Sequence, residues 1–456
     1  MVFDADGREL VVTRRDTEVR HPSREQCEHD MREVWDAVVA TVREAVDRPV
    51  RLLAVTAQGD GAWLVGEDGE PLRPAVLWND GRAADVVRGW RADGTLERAY
   101  RINGSLTNAG LPNAILGETR PHTVLTCGGG CSRSSPACSA SRSPRRPRPW
   151  LDIHERTFST DLTDLYGIDP AVLPPLLTEQ VQPLIATELG LPAGTPVVLA
   201  PYDIVTTAFG AGATAAGQAT CILGTTLCTE MLVAAPDTTG EPSGLTLDFG
   251  VSGLLMRSFP TLAGTGVVDW LVDLLGLTDH AEVTRLASQA PAGADGLRVL
   301  PYLSPAGERA PFLDPAASGL VTGMLFGHGR AHLARAVLEG LAHVIRDCLD
   351  AAPGRPVELA LCGGGAASAL WCQLIADITG VPAVSTEDTQ VRAKGALVYA
   401  LTALSEFPDL TSAAAALVRP SARYEPDPGE RSLHEAAHAE FLETRALAAT
   451  RWAQWR

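Results

Sequence analysis

The chain has 456 residues, of which 45% are hydrophobic and 20% charged, and its formal net charge is −17 at pH 7. This length exceeds what a single hydrophobic core organises, so we expect two domains. The negative charge disfavours nucleic acid and anionic membranes as partners, because both require a basic protein surface. No apolar run reaches the roughly 18 residues of a membrane span and no signal peptide is evident, so the sequence predicts a cytoplasmic protein.

In the N-terminal part, the apolar pattern predicts a β-hairpin, one helix and three strands. An Asp-Gly turn within residues 4–7 joins the two strands of the hairpin. Residues 23–45 have helical spacing, and Ser23 with Gln26 matches a capping box at the start of the helix. Residues 51–57, 62–66 and 75–78 have the composition of strands.

Two polar segments follow these strands and are candidates for a polyol site. Gln58, Gly59 and Asp60 come after the first strand, and Asn79 and Asp80 come after the third. Amide and carboxylate groups can hydrogen-bond to sugar hydroxyls. For Asn79 and Asp80 the structural alternative is an ordinary turn, which the Asn-Asp-Gly sequence favours.

Residues 130–149 differ in composition from the rest of the chain. They are rich in serine, arginine and proline, a composition that cannot build a packed core. Two interpretations stay open: a disordered surface insertion, or the product of a locally shifted reading frame. Cys127, Cys131 and Cys138 lie in or beside this segment with His122 nearby, but their spacing matches no common zinc pattern. The cysteines of the chain are otherwise mostly isolated, which is typical of reduced thiols.

Asp203 is the candidate catalytic residue. It follows a buried-type strand at residues 195–200 and precedes a run of small residues at 210–217. A carboxylate in such a place can accept the proton of a hydroxyl group that attacks phosphorus. The structural alternative is that Asp203 is a helix N-cap.

Two glycine-containing turns in the last half are candidates for binding phosphate groups. Gly224, Thr225 and Thr226 follow a strand at residues 220–223, and the glycines at 363–365 follow a strand at 359–362, with helical spacing from 366 onward. Such turns let backbone N–H groups approach an anion without interference from a Cβ atom. Strands alternate with helices at 329–352 and 392–404, which indicates an α/β fold whose ligand site lies in a cleft between two domains.

A loop at residues 307–311 contains Glu308 and Arg309 directly after a predicted strand at 297–303. One interpretation is an ordinary solvated loop. The other is an internal Glu–Arg pair that fixes the relative position of the domains.

Taken in order along the chain, these segments resemble the FGGY carbohydrate kinases, a family that includes xylulose, L-xylulose, erythritol and glycerol kinases. The motifs that carry the resemblance lie at residues 57–61 (AQGDG), 77–82 (LWNDGR), Asp203 before 210–212 (GAG), 223–226 (LGTT), 301–303 (PYL), 307–311 (GERAP), 335–340 (RAVLEG) and 363–365 (GGG). The resemblance implies two actin-like, ribonuclease H-like ATPase domains that close over ATP with Mg²⁺ and a sugar or polyol. Residues 1–210 would form the sugar-binding domain and residues 211–456 the ATP-binding domain.

The resemblance also implies a role for each candidate residue and a reaction. Asp203 is the expected base, Gln58, Gly59, Asp60, Asn79, Asp80 and Asp203 contact the substrate, and the ATP-binding residues are Gly224, Thr225, Thr226, Gly266, Gly363, Gly364, Gly365 and Ser368. No metal ligand is assigned. The expected reaction is ATP-dependent phosphorylation of a hydroxyl group of a pentulose such as xylulose, or of a tetritol. The sequence leaves the oligomeric state open, a homodimer included.

Two departures from the family pattern leave an alternative. Family members open with a strand that carries Asp-x-Gly-Thr, whereas this sequence begins at the hairpin that normally follows it. In addition, residues 130–149 replace a helix and a substrate-side loop of the family. The alternative to an active kinase is therefore a catalytically impaired remnant that binds nucleotide or sugar.

Overall fold

A computed structural model of the chain describes residues 1–66, 70–116, 123–125, 148–173, 181–184, 187–248 and 253–455. The cluster of Cys127, Cys131, Cys138 and His122, and nearly all of residues 130–149, lie outside the described residues. No helix within those described ranges combines the length and the apolar character that a bilayer crossing demands.

The first half of the chain is built from short strands and helices. The predicted hairpin and the three predicted strands are confirmed, with shorter bounds. Three strands form a small sheet in the order β10-β11-β4, in which β11 runs parallel to β4. The elements are β1 (Val2–Phe3), β2 (Glu9–Val11), β3 (Glu28–His29), α1 (Met31–Ala45), β4 (Leu53–Val55), β5 (Trp63–Val65), β6 (Ala75–Val76), α2 (Ala84–Ala92), α3 (Thr95–Asn103), α4 (Pro112–Ile115), β7 (Thr123–Leu125), β8 (Leu151–Asp152), β9 (Thr157–Phe158), α5 (Thr160–Tyr166), β10 (Val181–Pro183) and β11 (Pro196–Leu199).

The helix predicted for residues 23–45 is shorter than expected, and its predicted cap is wrong. Helix α1 begins at Met31, and the side chain of Asp30 caps it by accepting hydrogen bonds from the backbone N–H groups of the first turn. Ser23 and Gln26 instead close a turn, because the N–H of Gln26 donates to the carbonyl of Ser23 at 3.2 Å. The intervening residues are extended because β3 pairs with β6. A pairing with a strand far along the chain thus overrides the local helical pattern.

The second half is organised by a seven-stranded mixed sheet in the order β14-β15-β13-β12-β18-β19-β20. Strands β12, β18 and β19 are parallel, and the others are antiparallel to their neighbours. The predicted α/β class is confirmed. The elements are α6 (Asp203–Gly210), β12 (Gln218–Leu223), β13 (Leu227–Val233), β14 (Leu245–Asp248), β15 (Leu255–Pro260), α7 (Thr265–Leu275), α8 (His280–Ala287), β16 (Arg298–Leu300), β17 (Leu320–Thr322), α9 (Arg330–Asp350), β18 (Glu358–Cys362), α10 (Ala369–Thr379), β19 (Ala383–Thr386), α11 (Val391–Ala403), α12 (Leu410–Leu417), β20 (Pro420–Tyr424), α13 (Arg431–Ala449) and α14 (Trp452–Trp455).

The large sheet lies between two layers of helices. On one face, Met231 and Val233 of β13 pack into a core with helices α7, α9 and α10. On the other face, Leu232 packs with α6, α11 and α12. The alternation follows from strand geometry, in which successive side chains point to opposite faces of the sheet.

Helices α6 and α11 approach each other through glycine. A Cβ atom added to Gly395 in α11 would lie 1.7 Å from the carbonyl oxygen of Thr206 in α6, and one added to Gly210 would lie 1.9 Å from the carbonyl oxygen of Val391. Real Cβ atoms do not come this close to backbone, so both positions require glycine. The backbones of the two helices are therefore in direct contact.

Lys394, the neighbour of Gly395, ties the N-terminal hairpin to the second half. Lys394 is 2% exposed. Its ammonium group lies 2.7 Å from Asp388 Oδ1 and donates to the carbonyl oxygens of Gly7 and Leu417. A buried lysine is tolerated when its charge is paired and its donors are satisfied, as here.

We predict opposite effects of alanine at two helical glycines. Gly395→Ala should destabilise the protein by about 1–3 kcal/mol, since the added methyl group forces α6 and α11 apart. Gly89→Ala should stabilise it by about 0.5–1 kcal/mol, because Gly89 lies inside α2 with no atom within 4 Å of an added Cβ. Urea-denaturation midpoints measure both changes. Equal midpoints for the two variants would contradict the described helix contact.

Candidate functional site

The predicted substrate segment of Gln58, Gly59 and Asp60 meets Asp203 at one edge of the small sheet. The backbone N–H of Asp203 donates to the carbonyl of Ala57 at 3.0 Å, so the start of α6 lies beside the segment of Gln58, Gly59 and Asp60. A Cβ on Gly59 would lie 2.3 Å from the ring of Tyr202, and this position therefore requires glycine. The parallel pairing of β4 and β11 causes the meeting, because the carboxyl ends of parallel strands share an edge.

Asp203 is the first residue of α6, and its carboxylate is partly accessible. The N-cap is Tyr202, so the alternative that Asp203 is itself the cap is wrong by one residue. Oδ1 accepts the N–H of Ile204 at 2.9 Å, and Oδ2 lies 3.7 Å from Nη1 of Arg392, with 22% of the Asp203 side chain exposed. The carboxylate can therefore be reached by a small substrate while a guanidinium group lies beside it.

Asn79 and Asp80 occupy different environments. Asn79 is exposed in the turn after β6. The Asp80 side chain has no exposed surface: it accepts the N–H of Cys27 at 2.7 Å and both the backbone N–H and the Nε–H of Arg82. Burial opposes its ionisation, yet the hydrogen bonds from Arg82 and Cys27 lower the pKa of Asp80 below its usual value. The predicted substrate contact of Asp80 is therefore wrong, because this carboxylate holds the turn itself.

The turn of Gly224, Thr225 and Thr226 joins β12 to β13 and rests on the start of α7. The N–H of Thr265 donates to the carbonyl of Gly224 at 2.8 Å, and the N–H of Gly266 donates to that of Thr225 at 3.1 Å. The N–H of Gly266 therefore supports the turn, and the ATP contact of Gly266 stays a prediction.

The second glycine turn adjoins the first because β18 is parallel to β12, with Cys362 opposite Ile222. Gly363 has φ 88°, and a Cβ there would lie 2.8 Å from the carbonyl oxygen of Leu223. The helix expected from residue 366 begins later. Gly364–Ala367 form a 3-10 turn, and Ser368 caps α10 by accepting the N–H of Trp371 at 3.2 Å. The turn at residues 224–226 and the glycine turn at residues 363–365 therefore lie side by side and form one surface.

A pocket of about 260 Å³ opens beside this surface. Gly364, Gly365 and Ser368 form one wall, and α7 and α8 form the other. Ser368 Oγ lies 3.0 Å from Oγ1 of Thr284 on α8. Sequence reasoning missed Thr284 and the rest of α8, since an amphipathic helix contains no motif that indicates a ligand. An apolar pocket with a few polar groups suits a flat heteroaromatic ring.

Glu308 and Arg309 connect the two halves of the molecule. Glu308 is 1% exposed, and its carboxylate accepts the N–H groups of Leu262, Ala263 and Arg309. The Arg309 guanidinium lies 5.5 Å from the centre of the Trp78 ring, a cation–π contact. Burial raises the pKa of Glu308. The solvated-loop interpretation is therefore wrong. Glu308 holds the segment before α7, and Arg309 connects this region to Trp78 in the first half of the chain.

Glu230 on β13 is a buried acid that sequence reasoning also missed. It is 1% exposed, the Cys228 thiol donates to its Oε1 at 3.4 Å, and Oε2 has no hydrogen-bond partner among the described residues. Burial raises the pKa of Glu230 well above its ordinary value, and the charge of Asp203 adds to this effect. Burial thus favours the neutral form of Glu230, which lies on the sheet face that Leu232 presents to α6.

We predict that Glu230 makes stability depend on pH. The unfolded chain ionises a glutamate near pH 4.3, whereas burial holds the pKa of Glu230 above that value in the folded chain. The free energy of unfolding should therefore fall as pH rises above about 4.3, by at most about 1.4 kcal/mol per pH unit from this group. Glu230→Gln keeps the shape without the ionisation, so it should gain stability relative to wild type between pH 5 and 8.

Denaturant titrations across that pH range measure the difference between Glu230→Gln and wild type. Glu97→Gln, whose parent side chain is 65% exposed, controls for the loss of one carboxylate. A difference for Glu230→Gln that does not grow with pH would show that Glu230 is ionised in the folded protein.

Comparisons with known proteins give a consistent result. The N-terminal and C-terminal domain models of the FGGY family of carbohydrate kinases match residues 1–117 and 219–404. The xylulose kinase of Escherichia coli (strain K12) is 28% identical, over 77% of this chain and 76% of that protein. The erythritol kinase of Brucella abortus (strain 2308) is also 28% identical, over 88% and 83%.

A solved structure shows the same fold. The ligand-bound xylulose kinase from Lactobacillus acidophilus superposes with a TM-score of 0.90 at 20% identity, covering 100% of this chain and 96% of that one. This likeness confirms the predicted two-domain type of α/β fold at the level of architecture alone.

Proposed function

Because the chain belongs to the FGGY family of carbohydrate kinases, we propose that it transfers the γ-phosphoryl group of ATP to a hydroxyl group of a pentulose such as xylulose, or of a tetritol. Relatives named xylulose kinase and erythritol kinase support this substrate class. The observation that carries the proposal is the hydrogen bond from Asp203 to Ala57, which brings an accessible carboxylate next to Gln58 and Asp60.

In this mechanism Asp203 accepts the proton of the attacking hydroxyl group. Gln58, Asp60 and Asn79 hydrogen-bond to the other hydroxyls and orient the acceptor. Residues 1–210 thus provide the sugar-binding part of the site and residues 211–456 the nucleotide-binding part.

The nucleotide side of the mechanism rests on the two turns. The turn at residues 224–226 offers hydroxyl groups and backbone N–H groups to phosphate oxygens. The pocket beside Gly364, Gly365 and Ser368 would hold the adenosine portion. These features fit ATP, because glycines leave the backbone open to phosphates and the pocket wall is mainly apolar. Mg²⁺, when bound with ATP, would neutralise charge on the phosphate oxygens.

Asp203→Asn should fold normally and lose about 10²–10⁴-fold of the rate of phosphoryl transfer, because an amide cannot accept the proton. Asp85→Asn, at a side chain that is 84% exposed, should keep the wild-type rate. Initial rates from coupled ADP release measure both. A near-normal rate for Asp203→Asn would remove Asp203 from this role.

The same assay, run on a panel of pentuloses and tetritols, tests the reaction itself. ADP release that depends on one of these acceptors supports the kinase. Binding of ATP and sugar without turnover would support the catalytically impaired remnant instead.

Gly364→Val should weaken ATP binding while leaving the fold intact. An added Cβ at Gly364 has no atom within 4 Å, so the larger side chain occupies the pocket and does not strain the backbone. We expect the KM for ATP to rise by at least about tenfold, because a misfit of about one methylene group in an apolar pocket changes the free energy of binding by about 1–3 kcal/mol.

The matched control is Gly240→Val, at another glycine where an added Cβ has no atom within 4 Å. Gly240 lies in a loop before β14 and is not among the residues that line the pocket. An unchanged KM for ATP in Gly364→Val would show that the nucleotide lies elsewhere.

A further inference from the structure

Arg392 of α11 lies beside Asp203 but has no part in the proposed mechanism. Its Nη1 is 3.7 Å from Oδ2 of Asp203, and 62% of its side chain is exposed. This distance is longer than a hydrogen bond, and an ion pair with so exposed a partner contributes at most about 1 kcal/mol to stability. Stability therefore gives little reason for an arginine at this position, which leaves a role in binding.

The backbone beside Arg392 is held by two other parts of the molecule. Oε1 of Glu9, on β2, accepts the N–H of Gln390 at 3.1 Å. On the other side, a Cβ added to Gly210 of α6 would lie 1.9 Å from the carbonyl oxygen of Val391. The start of α11 is thus fixed in position, while the exposed guanidinium group at the end of a long side chain can still turn.

The start of α11 also adjoins the two glycine-containing turns. Val391 packs in one apolar cluster with Ile222 and Cys362. Ile222 on β12 and Cys362 on β18 lie near the ends of these strands, which lead into the turns at residues 224–226 and 363–365. The two strands are parallel, so both turns leave the same edge of the sheet. Arg392 therefore lies where the side of the proposed base meets the side of the phosphate-binding turns.

The charges of the proposed reaction favour a cation at this junction. The transferred phosphoryl group is negative, and it must approach a hydroxyl group that lies next to the carboxylate of Asp203. Two like charges at short distance repel each other unless an opposite charge lies beside them. A guanidinium group has a planar fork of N–H donors that matches phosphate oxygens, and an arginine within the chain supports phosphoryl transfer in this way in some enzymes.

We propose that Arg392 is a catalytic residue whose guanidinium group turns from Asp203 to the transferred phosphoryl group and donates hydrogen bonds to its oxygens. This inference rests on the proposed function. In the step itself, the acceptor oxygen forms a bond to the γ-phosphorus and gives its proton to Asp203. The bond between that phosphorus and the oxygen of ADP breaks, and its electron pair stays on ADP. Arg392 stabilises the charge and transfers no proton.

Arg392→Gln should lower kcat for acceptor-dependent ADP release by about 10²–10³-fold, the usual effect of removing one donor to a developing charge. The KM for the acceptor should stay close to that of wild type, because Arg392 faces the phosphoryl group and not the sugar hydroxyls. Arg392→Lys should retain more of the rate than Arg392→Gln, since lysine keeps the charge but loses the fork. The matched control is Arg32→Gln, at an arginine on α1 that is 73% exposed and lies 3.0 Å from Glu70. It should keep the wild-type kcat.

Equilibrium binding gives a readout that needs no acceptor. Calorimetric titrations of the full chain use ADP and a non-hydrolysable ATP analogue, each with Mg²⁺, and these ligands differ by the γ-phosphoryl group. Arg392→Gln should weaken binding of the analogue by about tenfold more than binding of ADP, as expected for one lost hydrogen bond to a charged group. The same selective loss should appear when Asp203→Asn is already present. Its absence there would show that Arg392 acts only through Asp203, which would overturn the proposal.

The two measurements separate this inference from the proposed function. If wild type releases no ADP with any acceptor, yet Arg392→Gln selectively weakens binding of the analogue, the phosphoryl contact is supported and the kinase is contradicted. If Arg392→Gln releases ADP at the wild-type rate in the presence of an acceptor, the kinase is supported and the role of Arg392 is wrong. Equal changes in affinity for ADP and the analogue would also contradict that role.

Discussion

The backbone contact between α6 and α11 is the constraint on which the rest of the site depends. Gly210 and Gly395 let the two helices touch, and any side chain at these positions would separate them. Asp203 begins α6, and Arg392 lies in the first turn of α11, so the same contact sets the distance between carboxylate and guanidinium. Lys394, next to Gly395, extends this arrangement to the N-terminal hairpin.

Two buried glutamates near the site have different physical roles. Glu308 is satisfied by three backbone N–H groups and holds the segment before α7, on which the turn at residues 224–226 rests. Glu230 has an oxygen without a partner among the described residues, and burial raises its pKa. Burial therefore opposes a second negative charge on the sheet near Asp203. Rigidity and charge at the site are thus set by different residues.

Local signals predicted the turns and most of the strands, because glycine, proline and apolar runs act over a few residues. The start of α1 was misplaced, because the pairing of β3 with β6 competes with helical spacing. Asp80 was assigned to the substrate because its sequence context is that of a polar loop. Its hydrogen bond to Cys27, 53 positions away, is invisible to any local pattern. The sequence predicted the wall of the pocket that contains Gly364 and Gly365, because a glycine turn after a strand is a recognisable motif. It did not predict the wall formed by α8, which contains no such motif.

The sequence by itself determined the α/β class, the order of the family motifs and the identity of Asp203 as the candidate base, since these depend on residue type and short spacing. The tertiary structure alone decided which of these groups meet. It placed Gln58 beside Asp203, directed the N–H of Gly266 to the carbonyl of Thr225, and brought Arg309 to Trp78. Such meetings depend on strand pairing and helix packing between distant segments, whose free energies arise only when the whole core has formed.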